Sequence, residues 1–135
     1  MGATVLAMSS PASAYPNWQS VSPDSHWHCG RTTQHPDSTN VYMQTCIIVN
    51  DNRDAQAVTV VQNKSNVAIH LAALATASFG GSAKCNDTAI RPGRQVGCFS
   101  RTVHVRSGQD LKAWSFVRMN GNEPAATTRA ARYHI

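Results

Sequence analysis

The chain has 135 residues, a formal net charge of +5, 41% hydrophobic residues and only 14% charged ones. These figures support one domain with one modest core, under an uncharged but polar surface that suits an exported protein. The positive charge is scattered, with Arg91, Arg94 and Arg101 as its closest group, and no basic run is interleaved with aromatics; this argues against nucleic-acid binding, and no apolar stretch reaches the roughly 18 residues a spanning helix needs.

Residues 1–14 read as the end of a signal peptide. An apolar run from Ala3 to Met8 precedes Ala12-Ser13-Ala14, an A-x-A cleavage pattern. No Lys or Arg comes before the run, so the expectation is that Met1 lies inside a longer leader and that the mature chain starts near Tyr15. Residues 15–40 are rich in Pro, Ser, Asp, Asn and Thr and read as an extended segment across the surface. Trp18 and Trp27 are expected to anchor it, the alternative being that Trp18 and Tyr15 face a partner.

Residues 41–49, VYMQTCIIV, form a clear strand ended by Asn50-Asp51-Asn52, and residues 57–61, AVTVV, follow as the second strand of a hairpin. Residues 67–79 are ambiguous. Their alanines would serve a helix, but Val67, Ile69 and Leu71 alternate, and the position between two turn signals favours a strand. The central stretch is 84–105, where Pro92-Gly93 turns the chain between a strand ending at Ile90 and a β-favouring run through Cys98 to Val105. A last strand, 111–119, alternates Leu111, Ala113, Ser115 and Val117 against Lys112, Trp114, Phe116 and Arg118, and bulk on both faces makes it a central strand. Six or seven short strands with regular turns and no amphipathic helix predict an all-β fold, a small antiparallel β-sandwich over 41–119; a small β-barrel is the alternative. Residues 120–135 lack an apolar period and are expected to leave the body as a C-terminal arm, either frayed or ordered by a partner.

Four cysteines in an exported chain read as two disulfides. Of the three possible pairings, Cys29–Cys46 with Cys85–Cys98 is the local one and is favoured. The remaining chemistry is sparse. His26, His28 and His35 invite a zinc site, but a bridged Cys29 is no ligand and no second Cys/His pair has a zinc-module spacing. Asp51 and Asp54 lack the oxygen-rich pattern of a calcium loop. There is no G-x-S-x-G, and the few carboxylates fall in predicted turns, so no catalytic set is assigned and the chain is read as non-enzymatic, without cofactor or metal. Asn63-Lys64-Ser65 and Asn86-Asp87-Thr88 match the N-glycosylation pattern, which in a eukaryotic source places both at the surface.

What remains is protein binding. One candidate contact is the loop Arg91-Pro92-Gly93-Arg94, braced by the adjacent disulfide; the other is the terminal segment, with Arg129, Arg132 and Tyr133. The expected partners are proteins in a secreted complex, not nucleic acid, membrane or a small-molecule substrate. A rival reading is a secreted protease inhibitor with Arg91 or Arg94 as its basic specificity residue, although Pro92 counts against Arg91. A third is a carbohydrate-binding module that stacks sugars on Trp18, Trp27 or Trp114.

The Ala12-Ser13-Ala14 leader, the run from Ile90 through Pro92-Gly93 to Cys98, and the cysteine pattern resemble small exported proteins of filamentous soil bacteria, most of all the small adaptor subunits of umbrella toxin particles. The resemblance covers most of the mature chain in size and texture. It implies an adaptor that bridges a large toxin-bearing subunit, with its repeats, to a lectin-type subunit. It also implies an extended loop or terminus entering a cleft of a catalytically dead protease-like domain, and no enzyme activity. It marks no individual binding residue.

Overall fold

The computed structural model describes residues 18–135, so the expected leader and Tyr15 lie outside the described residues. Among the described residues there are twelve strands and no helix. In chain order they are β1 (Gln19–Ser20), β2 (Trp27–Cys29), β3 (Thr33–Gln34), β4 (Val41–Val49), β5 (Asp54–Asn63), β6 (Ile69–Ala77), β7 (Ala83–Ile90), β8 (Gln95–Phe99), β9 (Val103–His104), β10 (Asp110–Met119), β11 (Ala126–Thr127) and β12 (Ala131–His134). They form two antiparallel sheets that do not close into a barrel. The seven-stranded sheet runs β1-β8-β5-β4-β2, with β9 on β5 and β3 on β4; the five-stranded sheet runs β11-β10-β6-β7, with β12 also on β10. The long strands are those expected from the alternation of the sequence; the short ones come from its polar flanks.

Side-chain alternation decides which face each strand buries. In β4 the inward set is Val41, Met43, Thr45 and Ile47; in β10 it is Leu111, Ala113, Ser115, Val117 and Met119. The ambiguous segment is strand β6, and its alanines 73, 75 and 77 all point inward. The feature that suggested a helix is therefore the small-residue face that lets the sheets approach. At the centre of this core sits a chain of hydroxyls. Ser115 Oγ is 2.5 Å from Thr59 Oγ1 and 2.7 Å from Thr45 Oγ1, and Thr45 Oγ1 is 2.6 Å from Thr128 Oγ1. All four residues are buried, and the chain ties the two sheets at one register.

Both local disulfides are present. Cys29–Cys46 joins the adjacent strands β2 and β4, whereas Cys85–Cys98 joins β7 of one sheet to β8 of the other. The two legs around Pro92-Gly93 thus belong to different sheets, and the bridge staples the sandwich together. The described part of the N-terminal segment, residues 18–40, adds the short strands β1, β2 and β3 to the seven-stranded sheet, which therefore begins before residue 41. Trp18 anchors the segment: the indole is buried and its Nε1–H donates to Leu71 O at 3.1 Å, linking β6 to the approach to β1.

Two expectations fail. Residues 120–135 do not leave the body. Asn120 and Gly121, both at positive φ, turn the chain back, Ala126–Thr127 pairs with Val117 and Phe116, and Ala131–His134 pairs with β10 from Ala113 to Asp110. The segment is held by small buried residues, Ala126, Thr128 and Ala131, which carry no visible apolar period. Gly30 makes room for it, since a Cβ there would stand 2.5 Å from Ala130 O. Asn63 is also not a surface residue. It is fully buried, its amide donates to Val67 O and Ile90 O, and its Oδ1 accepts from Ser65, so no glycan can reach it. Asn86, in contrast, is exposed on β7.

Candidate functional site

The two contact features expected from the sequence lie at opposite ends of the sandwich. The 91–94 turn follows β7 at the end that also holds residues 64–68 and 120–125; Tyr133 sits near the other end, beside the turn at 50–53. Neither is a free arm. Gly93 N donates to Asn63 O at 2.7 Å, Arg94 N closes a tight turn onto Arg91 O, and the Arg94 guanidinium donates to Ser20 Oγ. Arg91, Pro92 and Gly93 are exposed, but they form a tight turn, not the extended segment a protease cleft takes. Arg129 is exposed in the link between β11 and β12. Tyr133 is half-buried with its ring stacked on His28, centroids 3.5 Å apart.

That stack borders an open recess of about 350 Å³ lined by His26, His28, Asp51, Arg53 and Tyr133, among others. Burial, and then the neighbouring His26, hold the His28 imidazole below its usual pKa, which favours the neutral form of the stacked ring. His35 is remote from this recess. It is buried, its Nε2 lies 3.0 Å from Val117 O and its Nδ1 accepts from Asp37 N, so both nitrogens serve the fold and the three histidines do not converge.

The tryptophans also separate. Trp18 is core, Trp27 packs edge-on to Phe99 over the outer face of the seven-stranded sheet, and Trp114 stands on the outer face of the five-stranded sheet. No two of them share a platform.

Among the described residues, the two exposed large hydrophobics that lie on strands, Leu74 and Phe116, are both on that last face. Along β10 the outward side chains are Lys112, Trp114, Phe116 and Arg118; along β6 they are Ala72, Leu74 and Thr76. The register sets Phe116 beside Leu74 and Trp114 beside Thr76, with Lys84 next to Leu74 on β7. Phe116 and Leu74 are each 37% exposed, although they sit in the middle of long, fully paired strands. Cations surround them. Lys112 Nζ lies 5.3 Å from the Trp114 ring centroid, Arg132 is the direct cross-strand neighbour of Lys112, and Arg118 is bound to Glu123 at 3.0 Å. Of the expected protein-contact residues only Arg132 joins this site, together with Trp114, which the sequence offered as a sugar-stacking residue. The alternation in 111–119 did separate the two faces of β10. It could not show that no second layer among the described residues covers the outer one, because that depends on how the rest of the chain folds.

No family model, curated protein or solved structure matches this chain.

Proposed function

We propose that this chain is a secreted, non-enzymatic protein-binding module, an adaptor subunit that docks a larger partner on the outer face of its five-stranded sheet. One observation carries the reading: Phe116 and Leu74 are held side by side and solvent-exposed on paired strands, with the half-buried Trp114 next to Phe116 on the same face, in a body cross-linked by two disulfides. A preorganised aromatic patch loses little entropy on docking, and aromatics dominate the energetics of protein interfaces. The disulfides are compatible with an oxidising, extracellular setting. The resemblance to umbrella-toxin adaptors supplies the kind of assembly: an antibacterial particle in which this subunit links a repeat-bearing toxin chain to a lectin-type chain.

The test is affinity purification of the tagged chain from the culture supernatant of its source, with wild type and Phe116→Ser side by side. Wild type recovers large secreted partners at fixed stoichiometry. Phe116→Ser, whose melting temperature stays within a few degrees of wild type, recovers them at least about tenfold less, as truncation of an interface anchor does. Equal recovery by both proteins refutes the reading.

A further inference from the structure

We infer that the partner surface seated on this face is acidic around an apolar centre; the inference rests on the docking reading above and names what docks. Each carboxylate there already contacts a side chain of the same sheet or its adjoining turn: Glu123 forms an ion pair with Arg118, and Asp110 and Asp87 hydrogen-bond the imidazoles of His134 and His70. Lys84, Lys112 and Arg132 have no carboxylate partner among the described residues.

Two of these free cations stand where the fold alone would not put them. Lys112 and Arg132 are directly opposed across the β10–β12 ladder, and like charges at such a pair destabilise a sheet. Lys84 closes the other side of the apolar row, beside Leu74. The result is an apolar centre with Lys84 on one side and Lys112 and Arg132 on the other, none of them paired with a carboxylate among the described residues. A carboxylate-bearing partner relieves the repulsion at Lys112 and Arg132 while its apolar side chains cover Phe116 and Leu74.

The same charges argue against other occupants. A second copy of this chain placed face to face would bring one basic rim against another. An anionic membrane would satisfy the cations, but Phe116 and Leu74 are more than half covered by their neighbours, and a monotopic membrane contact needs apolar side chains that reach roughly 5–10 Å into the acyl boundary.

The experiment is selection of a random peptide phage library on the immobilised full chain. Selected peptides are then synthesised and titrated against wild type, Phe116→Ser and the double variant Lys84→Glu/Lys112→Glu. The inference predicts peptides enriched in Asp and Glu flanking Leu, Phe or Trp. Their affinity falls about tenfold or more on each variant, and falls further between low and physiological salt. Binders that need Phe116 but lack acidic enrichment and ignore the charge reversal overturn the inference and leave the docking reading standing. Absence of any Phe116-dependent binder overturns both. Two controls complete it: sedimentation of the chain with phosphatidylserine vesicles, where Phe116-dependent binding assigns the face to a membrane instead, and the solution mass, where a Phe116-dependent dimer assigns it to self-association.

Discussion

Ser115 shows how a single polar residue fixes the docking of two sheets. Among the described residues its hydroxyl is the only side-chain partner of Thr59 Oγ1 and one of two for Thr45 Oγ1, in a fully buried place. Ser115→Ala therefore leaves a buried hydroxyl unsatisfied, at a cost of about 1–3 kcal/mol. Replacing Thr59 by Val in the same chain removes the orphaned group, so the double variant is expected to be more stable than Ser115→Ala alone. Urea denaturation of the three proteins checks this; a double variant less stable than the single one contradicts it.

His28 makes a second prediction at the same scale. Its pKa in the folded chain lies below the unfolded value, so the unfolded chain binds the proton more readily between the two. Stability from this residue is complete above the unfolded pKa of about 6.5 and is lost as pH falls from there through the lowered folded value. The groups facing the ring are Tyr133, which stacks on it, and His26, Asp51 and Arg53 in the same recess, with Asp24 held by His26. Replacement of His28 by Phe keeps the stack and removes the proton. The wild type should lose more stability than His28→Phe between pH 8 and pH 5 in urea titrations; parallel losses refute the assignment.

Among the elements, the terminal strand β12 is the most informative. It extends the five-stranded sheet and also reaches over β2 and β4 of the other, with Ala131 fully buried. Gly30→Val drives a side chain into Ala130 O and should cost roughly 1–3 kcal/mol through overpacking. The Cys85–Cys98 bridge closes a similar span to Cys29–Cys46, with separations of 13 and 17 residues. Removing either one by paired Cys→Ala substitution should cost about 3 kcal/mol. Thermal and urea unfolding measure each, and a loss well under 1 kcal/mol speaks against a structural role.

The same elements show what could be read in advance. Strands β4 and β10 announce themselves by β-favouring and bulky side chains over nine residues, β5 by the short run at 57–61 and, with more effort, β6 by the alternation of Val67, Ile69 and Leu71. The local disulfide pairing followed from the spacing of four cysteines. β11 and β12 gave no such signal. Ala126 of β11 and Ala131 of β12 are too small to mark a period, the inward run Ala131, Tyr133 and Ile135 is too short to announce a strand, and the strands exist because β10 offers them a free edge. Asn63 read as a glycan acceptor by motif, whereas its side chain is spent on the carbonyls of Val67 and Ile90, a contact 27 residues away in the second case. The candidate face failed for a related reason: Trp114 and Phe116 were placed correctly on one side of a strand, but exposure is a property of the assembled sandwich.

For the whole molecule, the proposed function needs a rigid cross-linked body that offers one apolar, basic-rimmed sheet face to a protein partner. The end loops, where the 91–94 turn lies, are then bystanders. Hydroxyl-radical footprinting of the tagged chain, alone and with its partners recovered from the source culture, separates these surfaces directly. The account predicts that oxidation of Trp114, Phe116 and Leu74 falls sharply on binding while Pro92 and Tyr133 are unchanged. Protection at Pro92 or Tyr133 with Trp114 and Phe116 still reactive would contradict it.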